Sequence, residues 1–248
     1  MCASQNHQSQ ENDPQTHPGT SPCYGGAVLL DAPVPAAATP GPAGRGAGEE
    51  DGETLRARGL IIGDDGRARP PWAAADPVLR DYYDHEWGRP VAGEAGMFER
   101  LSLEGLLAGL SWLLILRKRP AFREVFCGFD PDAVAALTEA DVERFLLDRR
   151  LVRNRRKLAA VITNAQATVR LREDGGLVEL ISSFAPAHWD RPPTVADSAQ
   201  RCPESVALAK ELKSRGFKFV GPVSIFSLFE ATGLIDNRVV GAAGLIGG

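Results

Sequence analysis

No run in this chain approaches the roughly 18 unbroken apolar residues that a membrane-crossing helix needs. The opening residues Met1 to Gln10 are polar, so they do not read as a secretory leader. Both absences point to a soluble, cytoplasmic protein. Cysteine is scarce: Cys2, Cys23, Cys127 and Cys202 show no CxxC spacing and two of them fall in the first 66 residues, so no disulfide framework is expected. A basic excess is also missing, since the net charge is −4. That value hides an uneven distribution. Residues 1–68 hold nine acids against four arginines, which leaves 23 acids and 24 bases for residues 69–248. Net charge therefore neither supports nor excludes a nucleic-acid partner, and local clusters must decide.

Residues 1–66 have few aromatics and are rich in Gln, Ser, Pro, Gly and Ala, a composition that cannot offset the entropy of ordering. They are read as a disordered tail, and residues 67–248 as one folded domain. From Trp72 onward apolar residues recur at helical spacing, and the alternation of a strand is almost absent. Met97 to Leu116 reads as one helix, followed by Arg117-Lys118-Arg119 at its negative end and a break at Pro120. A further helix is expected over Pro120 to Phe126. Thr138 with Asp141 forms a capping-box pattern before Val142. Helices are also expected over Arg153 to Arg170, Pro203 to Ser214 and Pro222 to Thr232, the last two stopped by Gly216 and Gly233. Six or more helices with short connections predict an all-α, irregular bundle.

Four segments carry residue types suited to chemistry. Tyr82-Tyr83-Asp84-His85-Glu86-Trp87-Gly88 concentrates rings and charges in what reads as a loop. In Leu103 to Trp112, Glu104 and Trp112 are eight residues apart, about 80° around a helix, with Ala108 leaving space between them. A carboxylate on an otherwise apolar face is costly unless paired. Glu104 therefore either meets a nearby arginine or joins Trp112 in lining a pocket. Such a pocket would suit a flat, cationic ligand, because an anion and a ring face both attract positive charge. Arg149 to Lys157 is a basic stretch between two helices. It either solvates a surface or presents Lys, Arg and backbone N–H groups to phosphates. Arg215 to Pro222 is a glycine-bounded turn.

In this order the segments resemble the constitutive bacterial 3-methyladenine DNA glycosylases, a branch of the helix-hairpin-helix superfamily. The resemblance rests on Trp72, Asp76-Pro77, Tyr82, Asp84, Glu86-Trp87-Gly88, Leu103-Glu104-Gly105, Ala108 to Trp112, Lys118-Arg119, Phe129-Asp130, Arg153-Asn154-Arg155, Lys157, Asn164-Ala165 and Leu212 to Gly221. It covers about residues 69–242. It implies a helix-hairpin-helix glycosylase-like domain that flips an alkylated base from duplex DNA and cleaves its glycosidic bond. By the same resemblance, Glu104 is the catalytic carboxylate, acting in base recognition, with direct activation of water as the alternative, and Tyr82, Trp112, Trp87 and Trp72 bind the base. Arg153, Asn154, Arg155 and Lys157 would hold the DNA backbone without reading sequence.

Some positions depart from the family pattern. Its zinc ligands fall on Pro70, Tyr83, Arg238 and Ala242, which do not form a zinc ligand set. No zinc and no other cofactor is therefore expected, and the anchoring of the two ends is left open. Leu107, Ser182, Val223, Phe226 and Glu230 replace more usual residues, and a more apolar pocket is expected. The alternative reading is a weak or inactive module that binds lesions in DNA without cleaving. A helical scaffold with no DNA role is a third. The expected partner is double-stranded DNA with alkylated bases, bound by a monomer away from any membrane and associated with the bacterial nucleoid.

Overall fold

The computed structural model describes residues 51–244. Most of the expected tail, residues 1–50, lies outside them. The last part of that tail is folded, however. Asp51 accepts from the backbone N–H of Glu53 and Thr54 and starts α1 (Gly52–Ala57). Strand β1 (Ile61–Ile62) pairs antiparallel with β2 (Ala68–Arg69), Ile61 opposite Arg69 and Ile62 opposite Ala68. Leu60, Ala68 and Val239 are buried together, with Leu55, Ile62, Val195 and Ala242 against them. Residues 51–66, expected to belong to the tail, thus carry a helix and a strand, because three apolar side chains in a polar stretch have a surface to cover.

The remaining elements are helical: α2 (Pro71–Ala74), α3 (Pro77–His85), α4 (Gly93–Leu107), α5 (Trp112–Val125), α6 (Pro131–Ala135), α7 (Glu139–Leu147), α8 (Arg155–Leu171), α9 (Leu177–Ser183), α10 (Pro203–Ser214) and α11 (Pro222–Ala231). Helix α4 is central and packs on α5, α6, α8, α9 and α11. Its buried residues Phe98, Leu101, Leu103 and Leu106 join Phe122, Phe126, Phe129, Leu158, Leu212, Phe226 and Phe229 in one core. Thr138 and Asp141 form the expected capping box, Asp141 accepting from the Thr138 backbone N–H at 2.7 Å. The α10 and α11 boundaries also match expectation, with Gly216 at φ 94° and Gly233 at φ 72°.

The expected helix Met97 to Leu116 is two helices. Leu107 ends α4, Gly109 turns at φ 75°, and Ser111 starts α5 by accepting from the Leu114 N–H at 3.3 Å. Arg117 to Arg119 then lie inside α5, which also contains Pro120. Helical periodicity continues through the turn by coincidence of spacing, so the apolar pattern alone conceals it. Cys202 is free and buried.

Candidate functional site

The break between α4 and α5 builds the site. A cavity of about 510 Å³ opens beside it. Helix α4 contributes Glu104 and Leu107, α5 contributes Trp112 and Leu113, α3 contributes Leu79 and Tyr82, and α11 contributes Ser227 and Glu230. Trp72 and Trp87 complete the wall. All five pocket residues expected from the sequence therefore meet in one place. Glu104 and Trp112 come together across a turn rather than along one helical face.

The turn is held from behind. Lys157, near the start of α8, donates from Nζ to Leu106 O at 2.8 Å and Ala108 O at 2.6 Å. These are orphan carbonyls at the end of α4, where a cation also meets the negative end of the helix dipole. Burial pushes the Lys157 ammonium below its ordinary value. Its group is thus engaged in the interior, which conflicts with the expected phosphate contact.

The rings are set by α3. Asp76 caps this helix, and Pro77 suits its first turn. The Tyr82 and Trp112 centroids are 5.3 Å apart with planes tilted by 60°. Tyr83 stacks on Trp87 at 5.4 Å, and Trp72 meets Trp87 edge-on at 5.7 Å. Asp84 and His85 belong to the end of α3 rather than to a loop. Asp84 is buried against Arg69, with contacts of 2.9 and 2.6 Å.

Glu104 is 5% exposed, and its Oε2 has no hydrogen-bond partner among the described residues. The arginine nearest in sequence, Arg100, pairs with Glu86 instead. The two alternatives for Glu104 are thereby separated: the carboxylate is unpaired and faces a cavity. Burial, with a second push from Glu230, raises its pKa to about 8. Its place near the negative end of α4 acts in the same direction. Glu230 is raised to about 7, mainly by burial, against a hydrogen bond from Asn237. Burial also pushes the Tyr82 phenol well above its ordinary range.

Glu230 entered the sequence reading only as a departure. Of the five departing positions, Leu107 and Glu230 line the cavity. Phe226 is buried in the main core, whereas Ser182 and Val223 are exposed. The expectation of a more apolar pocket holds for Leu107 and is reversed at Glu230.

The expected backbone-binding residues are dispersed in role. Arg153 is exposed and makes no ion pair among the described residues. Asn154 caps α8 through a 3.3 Å bond from the Lys157 N–H. Arg155 pairs with Glu139 and Glu143. Exposed Arg156 lines a second, shallower cavity with Lys218 and Phe219 on the α10–α11 turn. Asn164 fixes that turn, accepting from the Lys218 N–H at 2.7 Å and donating to Lys218 O at 3.0 Å.

The positions where the family's zinc ligands fall do not fit that ion. Pro70 and Ala242 carry no donor side chain. Arg238 is a cation whose Nη2 donates to Trp87 O at 2.7 Å, and whose guanidinium lies 5.0 Å from the Trp87 ring and 5.8 Å from the Tyr83 ring. Two of the four positions thus contact one another through a cation–π interaction. The C-terminal segment is held further by Ala243 N donating to Ala68 O at 2.7 Å. The question of how the ends are anchored is answered by these contacts.

Fold and pocket together define a helical protein with an aromatic, acidic cavity for a flat, electron-poor ligand. The family model described as methyladenine glycosylase matches residues 72–244. The DNA-3-methyladenine glycosylase 1 of Escherichia coli (strain K12) is 41% identical over 175 residues, covering 68% of this chain and 92% of that protein. A crystal structure of a 3-methyladenine DNA glycosylase I superposes with a TM-score of 0.67 at 37% identity, covering 71% of this chain and 98% of that one. A Staphylococcus aureus 3-methyladenine DNA glycosylase I, studied for its recognition of 3-methyladenine, gives 0.63 at 36% identity over 66% and 89% of the two chains. The chain belongs to the methyladenine glycosylase family.

Proposed function

We propose that this protein is a DNA glycosylase that hydrolyses the N-glycosidic bond of 3-methyladenine in double-stranded DNA, the opening step of base-excision repair. One observation carries the reading: a buried Glu104 without an ion pair among the described residues shares one cavity with the Trp112 and Tyr82 rings. The target base must leave the stack to reach such a recess. The 3-methylated base is cationic in the nucleotide. When the C–N bond breaks, its electron pair returns to the base and cancels that charge, so the leaving group is already good. Water adds to the sugar carbon and loses a proton. The pocket then needs to hold the flipped base, with ring stacking from Trp112 and Tyr82 and charge complementarity from Glu104. Trp87 and Trp72 close the wall.

Exposed Arg153 and Arg156, with Lys218 in the same cavity as Arg156, are cations available to phosphates. Arg155 reaches DNA only by giving up its carboxylate partners, and Asn154 contributes by shaping the start of α8. The protein acts as a metal-free, cytoplasmic monomer on the nucleoid. Among the described residues no helix is long and apolar enough to cross a membrane.

The test is chromatography with mass detection of bases freed from methylated duplex DNA. Release of 3-methyladenine is expected from the native protein, and strong loss from Trp112→Ala. No release above background from folded protein removes the proposal. Tight binding to methylated DNA without release replaces it with the non-cleaving module.

A further inference from the structure

We propose that Glu230 is a specificity-determining residue of this pocket: with Glu104 it forms a pair of carboxylates that favours a positively charged base over a neutral one. The inference rests on the glycosylase reading and deepens it at the same site.

Both side chains line the one cavity, Glu104 from α4 and Glu230 from α11. Glu230 is oriented by a donor of its own. Asn237 Nδ2 donates to Glu230 Oε1 at 2.7 Å, and Asn237 Oδ1 is in turn held by Trp189 Nε1 at 3.1 Å. That arrangement fixes one Glu230 oxygen and leaves Oε2 without a hydrogen bond among the described residues. Neither carboxylate makes an ion pair among the described residues, although the charge on Arg100 partly offsets the upward push on Glu104. Arg100 on α4 is committed to Glu86 at the end of α3, and Arg119 on α5 to Glu86 and Glu99. The Tyr82 phenol on α3 is kept neutral by burial.

Two carboxylates in one desolvated recess do not both ionise readily, because each raises the cost of charging the other. The empty pocket therefore retains a proton near neutrality. A cationic base supplies the missing positive charge and allows that proton to leave. A neutral purine supplies none, and it meets either a protonated pair or an uncompensated anion. Discrimination thus comes from exchanging a proton for the charge on the base. Glu230 sets its strength, since its charge keeps the Glu104 proton in place until a cation arrives.

The experiment has two arms. The first is a carbon-13 NMR titration of glutamate side-chain carboxyls, which needs no activity. Wild type is expected to show two carboxyls titrating far above the ordinary range. Glu230→Gln should remove one and move Glu104 downward, while Glu104→Gln should move Glu230 downward, since the interaction is reciprocal. Either variant suffices if the other does not fold. The second arm is the pH profile of kcat/KM for 3-methyladenine release. In Glu230→Gln the acid limb should move down by about one pH unit, and release above pH 8 should fall about tenfold, the Coulomb contribution of one nearby charge. Unchanged titration of the remaining carboxyl, or an unmoved acid limb in active variant protein, overturns the proposal. Absence of base release from wild type with the paired titration intact defeats the glycosylase reading instead.

Discussion

Replacing Glu104 with Gln should make the protein more stable and less active, with a pH signature that identifies the cause. The carboxyl is buried, lacks an ion pair and titrates at about 8 instead of 4.5. A carboxyl whose folded pKa lies above its unfolded value binds its proton more tightly when folded. Its contribution is fully retained below about 4.5, diminishes as pH rises from there, and is lost beyond about 8. At about 1.4 kcal/mol per unit of pKa, the charged form weakens the fold by roughly 5 kcal/mol above pH 8. A buried amide with an unmet partner returns about 1–3 kcal/mol of that. The net gain of the variant is then ~2–4 kcal/mol at pH 9, equivalent to roughly 5–10 °C in Tm for a domain of this size. At pH 4 the gain should turn into a loss of about 1–3 kcal/mol, because wild-type Glu104 is then largely protonated in both states and only the cost of the amide remains. Thermal unfolding followed by circular dichroism at pH 4, 7 and 9 supplies the comparison. Equal midpoints at pH 9, or the same difference at pH 4 as at pH 9, would refute the argument. Base release by the variant should be strongly reduced throughout, the usual exchange of stability for function at a desolvated site.

Three further outcomes follow from the geometry. Lys157→Met should lower stability by about 1–3 kcal/mol in urea unfolding, by stranding two carbonyls at the end of α4. It should also lower base release by displacing the turn before Trp112, while the salt dependence of DNA binding stays unchanged. Arg153→Glu with Arg156→Glu should weaken binding to any duplex sequence and flatten the plot of log affinity against log salt by roughly two units, read by fluorescence anisotropy. Gly233→Ala should be severely destabilising in thermal melts, since this glycine sits at φ 72° and an added Cβ would lie 2.6 Å from Gly88 O.

The helices of the second half were legible because their punctuation is local. Pro203 and Pro222 open α10 and α11, and Gly216 and Gly233 close them, without tertiary assistance. The α4–α5 break was not legible. The apolar period runs unbroken across it, and Lys157, which pins the turn, is some fifty residues away in sequence. Glu104 was found by asking why an acid stands on an apolar face. The same question put to Glu230, the only acid in α11, would have found the second carboxylate. A family pattern marks Glu230 only as a replacement and is silent on its burial. Charge runs were the least informative signal. Arg149 to Lys157 reads as one basic patch, yet Arg150 and Arg155 are neutralised by carboxylates and Lys157 points inward. Which cations remain available depends on pairings set by the three-dimensional arrangement.

The guanidinium of Arg238, set against the Tyr83 and Trp87 rings, joins the far end of the chain to the wall of the cavity. Arginine keeps its charge at any pH a cell reaches, and it is neither removed by chelators nor altered by oxidants. A junction of this kind forms as the polypeptide folds, with no delivery step. It also makes Trp87 a shared member: one ring borders the ligand recess while its neighbour secures the terminus. Slackening at the terminus would therefore be felt as a loosened grip on the ligand.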